Sequence, residues 1–112
     1  MPSNRSKEKQ LHKLEHEFEN ETIEDYEVSS PKLYKVLLLN DDYSSMDFVI
    51  KVLMSIFHHS FEKATDIMLS VHERGSGLCG IYTHEIAETK VAHVRKMAKN
   101  EKFPLRAIME EE

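Results

Sequence analysis

An α+β fold is what this sequence predicts: three helices on one face of a small three-stranded antiparallel sheet, preceded by a flexible tail. Three observations carry that expectation. Apolar runs of strand length, bounded by polar clusters, occur at Leu33–Leu39, Leu78–Tyr82 and Leu105–Met109. Apolar residues spaced three and four apart mark three helices between them. The order β-α-α-β-α-β has short connections and no internal repeat, which suits helices packed on one side of a sheet.

Residues 1–31 read as a flexible acidic N-terminal extension and residues 32–112 as the core domain. Within the extension Leu11, Leu14 and Phe18 have helical spacing, but they are too few to offset the cost of ordering a stable element. Eight acidic and four basic side chains place −4 of the net −5 charge in this part.

Leu33–Leu39 carries apolar residues on both faces, as a central strand does. The next stretch, Asn40 to Met46, gathers an amide, two carboxylates and two hydroxyls at one strand-to-helix corner. Ser44 with Asp47 three positions on reads as a capping box opening the first helix. Its apolar stripe is Met46, Val49, Ile50, Leu53, Met54 and Phe57. His58-His59-Ser60 interrupts the pattern, and Ser60 caps a second helix on which Phe61, Ala64, Met68, Val71 and His72 share a face. Gly75 suits a left-handed C-cap and Gly77 a turn. Thr83 caps the third helix, with Glu85 in its first turn where the helix dipole favours an acid. Ile86, Ala87, Val91, Val94 and Ala98 form the buried stripe of that helix. Glu88, Lys90, Arg95, Lys96 and Lys99 form its solvated side. Asn100 ends it, and Pro104 opens a last edge strand, Leu105–Met109.

At 112 residues the chain holds one domain plus a tail. No run has membrane-spanning length, and no apolar signal region opens the sequence. The lone Cys79 excludes an internal disulfide and a cysteine-based zinc site. The expectation is a soluble, cytoplasmic, monomeric protein without cofactor. A net charge of −5 argues against nucleic acid as the main partner.

Three kinds of chemistry come into question. Asp41 and Asp42 are adjacent and point apart, and no phosphate-binding glycine loop or nucleophile elbow accompanies them, so an enzyme is not expected. His58 and His59 are neighbours that do not converge on one ion, and His72 has no histidine one turn away, so no metal site is expected. The third is recognition of a cation attached to an apolar group. If the first two helices pack, Met46, Val49, Met68 and Val71 line a cleft with His72 at its rim beside the acceptors of the corner. Methionine adapts to several large apolar partners. Two readings of these residues stay open: turn and cap chemistry over a methionine-containing core, or a binding site.

The run Tyr34-Lys35-Val36-Leu37-Leu38-Leu39-Asn40-Asp41-Asp42-Tyr43, continued by Met46-Asp47-Phe48-Val49, resembles the opening of ClpS, the adaptor family of the bacterial Clp protease. Met68-Leu69-Ser70-Val71-His72, Cys79-Gly80, Ala87-Glu88-Thr89-Lys90-Val91-Ala92 and Pro104-Leu105 continue the match in order. The resemblance implies a non-enzymatic adaptor that binds proteins with a free N-terminal Leu, Phe, Tyr or Trp. It implies delivery of them to the AAA+ unfoldase ClpA, aided by an unstructured N-terminal extension. Carried over by motif, Asn40, Asp41 and His72 hold the substrate's α-amino group. Met46, Val49, Met68, Val71 and Leu105 line or close the side-chain pocket, with Asp42 and Ser44 at its rim. Glu85 and Lys90 match positions used on the unfoldase. One departure stands out: Ser44-Ser45 occupies the place where the family often has Thr-Pro, which keeps a hydroxyl and drops proline's restriction of the corner. The alternative is a general protein-docking module of a large complex, without N-terminal recognition, acting through its third helix.

Overall fold

A computed structural model describes residues 30–112; the expected extension, apart from its last two residues, lies outside the described residues. The elements are β1 (Leu33–Leu39), α1 (Met46–Ser55), α2 (Phe61–Arg74), β2 (Ser76–Thr83), α3 (His84–Glu101) and β3 (Arg106–Glu111). The sheet has strand order β2-β1-β3 with both pairings antiparallel, so the first strand is central. This is the predicted fold.

Alternation along β1 buries Val36 and Leu38 completely, because successive side chains point to opposite faces of a strand. They join Val52 and Leu53 of α1, Ala64 of α2, and Ala87 and Val94 of α3 in one core, with no polar or charged residue buried as a whole among the described residues. The β1–β2 register shifts between Val36, opposite Gly80, and Leu37, opposite Leu78. Cys79 is the extra residue of this bulge and is buried.

Several boundaries and faces differ from the expectation. In α1 the buried residues are Phe48, Val49, Val52 and Leu53, whereas Met46 and Met54 are exposed. Asp47, Lys51 and Ser55 recur every fourth residue along the solvent side, where i and i+4 share a face. On α2 Phe61 is exposed and Ile67 is buried in its stead. On α3 Ile86 is exposed and Val91 only half-buried. The third helix runs to Glu101, one residue past the expected end at Asn100, and is capped by Lys102, whose φ of 61° is left-handed. β3 begins at Arg106, opposite Leu39, because Leu105 is drawn inward and buried before strand pairing starts. Ser60 caps α2 as expected, its Oγ accepting the Lys63 N–H at 3.1 Å, and Gly75 is the left-handed C-cap with φ of 87°. Thr83 occupies the N-cap position of α3 but makes no side-chain cap bond.

Candidate functional site

The corner after β1 is tied to the end of α2. The Asn40 N–H donates to the Gly75 carbonyl at 2.9 Å, and the Gly75 N–H donates to the Val71 carbonyl at 3.0 Å. Asn40 and His72 are thereby brought together across two segments distant in sequence. Gly77 lets β2 lie close against the same helix: a Cβ there would stand 2.7 Å from Val71 Cγ2 and 3.0 Å from the Ile67 carbonyl oxygen. Val71 is held from behind by backbone.

Asp41 folds the corner. Its Oδ1 accepts the Tyr43 N–H at 2.8 Å and the Ser44 N–H at 2.6 Å, an aspartate side chain substituting for a backbone acceptor in a tight turn. Burial pulls its carboxyl upward, but the bonds from Ser44 and Tyr43 outweigh this and leave the pKa below the ordinary aspartate value. The Ser44 hydroxyl lies beside the carboxylate without the geometry of a hydrogen bond. With the turn reaching Ser44, the helix cap passes to the next residue. Ser45 Oγ accepts the Phe48 N–H at 3.1 Å, so the expected capping box on Ser44 and Asp47 is not formed. Asp41 Oδ2 and Ser44 Oγ are shut off from water and have no partner. Such atoms are uncommon and costly in a folded domain.

Both residues line a cleft of about 240 Å³. Its wall is built from Leu39, Asn40, Asp41, Asp42, Ser44, Met46, Val49, Met68, Val71, His72 and Leu105. The ten residues named from sequence for the amine and the side-chain pocket thus surround one space. Leu39 is the addition; being the last residue of a strand, it read only as sheet. Asn40, Asp42 and His72 are exposed, and Val49, Met68, Val71 and Leu105 are buried. The cleft is smaller than the roughly 300–1,000 Å³ typical of drug-sized ligand sites, a size for one side chain. Polar acceptors bordering an apolar hollow suit a ligand that is cationic at one end and apolar at the other.

The α3 residues stand apart from this cleft. Glu85 is exposed and lines a shallow depression with Glu88, Thr89 and Ala92. Lys90 departs from the expected solvated side. Its Nζ donates to the Ile56 carbonyl at 2.6 Å and sits 5.9 Å from the Phe57 ring centre and 5.7 Å from that of Tyr82. The end of α1 leaves carbonyls without helical partners, and this ammonium satisfies one. We expect Lys90→Ala to lower unfolding stability by about 1–2 kcal/mol, read by urea denaturation, so any partner-binding loss in that variant must be corrected for folding. His59 is engaged too, its Nε2 lying 2.5 Å from the Cys79 carbonyl.

A family model, "ATP-dependent Clp protease adaptor protein ClpS", matches residues 29–108. An ATP-dependent Clp protease adapter protein ClpS of Wolinella succinogenes is 55% identical over 95 residues, covering 85% of this chain and 93% of the relative. That of Oleidesulfovibrio alaskensis is 60% identical over 85 residues, covering 76% of this chain and 82% of the relative. Among solved structures, Agrobacterium tumefaciens ClpS2 bound to L-phenylalaninamide superposes with a TM-score of 0.72 at 40% identity, over 74% of this chain and all of that one.

Proposed function

This chain belongs to the ClpS family of ATP-dependent Clp protease adaptor proteins, and we propose that it binds proteins through a free N-terminal Leu, Phe, Tyr or Trp. It passes them to a ClpA-type AAA+ unfoldase, acting in the cytoplasm as a monomer and without catalysis of its own. The observation that carries the reading is the single cleft in which Asn40, Asp41, Asp42 and His72 border Met46, Val49, Met68, Val71 and Leu105. The relative's ligand fits the same chemistry. L-Phenylalaninamide has a free α-amino group, an apolar side chain, and an amide where a peptide bond would follow.

Asn40, Asp41 and His72 hold the α-amino group, with the two carboxylates dividing the work. Asp41 spends Oδ1 on the turn and its Oδ2 is covered, so it acts through its charge and by aiming its neighbours. Asn40 and Asp42 are the acceptors an ammonium reaches from solvent. The His72 imidazole, at the rim of the same cleft, adds a third. Charge-assisted bonds are the strong ones, and an internal peptide nitrogen offers only one neutral donor, leaving acceptors unpaired. Burying a Leu or Phe side chain adds roughly 1.5–3 kcal/mol, and amine and side chain together support binding on the order of −8 kcal/mol. Glu85 and Lys90 mark the unfoldase-facing side, and residues 1–31 serve delivery.

Titration with peptides that differ only in their first residue tests this. Those beginning with Leu, Phe, Tyr or Trp should bind at micromolar levels or tighter, about −8 kcal/mol, and those beginning with Ala or Glu at least roughly tenfold more weakly, the loss of one apolar anchor. Indifference to the first residue would favour a plain docking module instead. Faster degradation of a Phe-initiated reporter by ClpAP in the presence of this protein checks delivery.

A further inference from the structure

Among the methionines of the described residues, Met46 is the most exposed, at 57%, and it is also part of the cleft wall. The other cleft methionine, Met68, is 7% exposed. Met54, 40% exposed on the same helix, lies outside the cleft. A thioether open to solvent is open to oxidants, and its sulfoxide is polar and chiral where the thioether was apolar and flexible. Exposure alone admits both Met46 and Met54; position separates them, since only Met46 borders the hollow that takes the ligand's side chain.

We propose that Met46 is a reversible oxidation site, and that its conversion to the sulfoxide by peroxide shuts the cleft to apolar N-terminal residues. The inference rests on the reading of the cleft given above. In the step, the Met46 sulfur attacks one peroxide oxygen, the S–O bond forms and the O–O bond breaks. Sulfur loses two electrons, and the departing hydroxide takes the proton released from the transferred oxygen to become water. A methionine sulfoxide reductase reverses it with two electrons and two protons from a dithiol, which becomes a disulfide as the oxygen leaves as water. The apolar wall then carries an S=O dipole whose hydration is lost when a Leu or Phe side chain enters, which opposes binding. Cys79 does not compete for the oxidant: it is 1% exposed, and burial pushes its thiol pKa up to about 12, so the reactive thiolate is scarce.

The experiment uses the full chain, dilute hydrogen peroxide, peptide mass mapping and titration with a Phe-initiated peptide. Treatment should add one oxygen to Met46 and to Met54 while leaving Met68 unmodified, and should weaken binding roughly tenfold or more, the scale of turning an apolar contact polar. Reductase treatment should restore it. Met54→Leu should lose affinity on treatment as the parent does. Met46→Leu, whatever its starting affinity, should lose none. Affinity unchanged or raised with Met46 fully oxidised, or an equal loss in Met46→Leu, overturns the inference while the cleft reading stands. Failure of the untreated protein to bind the peptide at all overturns both.

Discussion

Asp41→Ala should weaken binding of a Phe-initiated peptide about a hundredfold, and Asp41→Asn only about tenfold, at roughly 1.4 kcal/mol per decade. Alanine removes the acceptor of the Tyr43 and Ser44 N–H groups, so the chain from Asn40 to Ser44 loses the bonds that aim it, and the site loses a negative charge. Asparagine keeps an oxygen for those two donors and gives up only the charge. A merely structural aspartate would make the asparagine variant equal to wild type in binding, which isothermal titration distinguishes. The same pair has a pH signature in stability. The folded carboxyl lies below its ordinary value of 3.8, so its contribution is fully present above that value and is lost as pH falls through the folded pKa. Thermal melts of wild type and Asp41→Asn should therefore differ at neutral pH and converge in acid.

Leu53→Ala and Met54→Ala, adjacent substitutions in α1, should part by the second large margin. Leu53 is fully buried, and its truncation should cost about 2–5 kcal/mol through lost transfer energy and the cavity left behind. Met54 is exposed, and its loss should stay within about 0.5 kcal/mol. Urea denaturation of both variants reads this directly. Equal effects would mean that α1 turns a different face to the core.

That contrast shows where the sequence was legible. Element order, the central place of β1 and the antiparallel sheet followed from period and punctuation, because strands and helices bury different repeats. The inward face of α1 did not. Met46, Phe48, Val49, Ile50, Val52, Leu53 and Met54 are all apolar, so the stripe has no unique phase when only apolar residues are counted. The polar residues Asp47, Lys51 and Ser55 mark a wet side and put Val49 and Leu53 opposite it at 3.6 residues per turn, but they do not decide that Phe48 rather than Met46 turns inward.

At the cleft the residue set was legible and its internal wiring was not. Motif order put Met68, His72 and Leu105 beside the corner, and the ten residues do surround one space. Which serine caps α1 depended on the Asp41 turn, a three-residue hydrogen-bond pattern that competes with capping. Ser44 and Ser45 are equivalent as residue types; the Asp41 bond to the Ser44 N–H decides between them. The environment of Lys90 was likewise hidden, since the carbonyl it meets is 34 positions away.

The most direct measurement compares one Phe-initiated peptide with its N-acetylated form at neutral pH. The acceptors of Asn40, Asp42 and His72 have an ammonium to bind in the first and a neutral amide in the second. The free peptide should bind near micromolar Kd and the acetylated one at least about a hundredfold more weakly, since paired charge is replaced by unpaired acceptors. Equal affinity for the two forms would contradict recognition of a free N-terminus by this cleft.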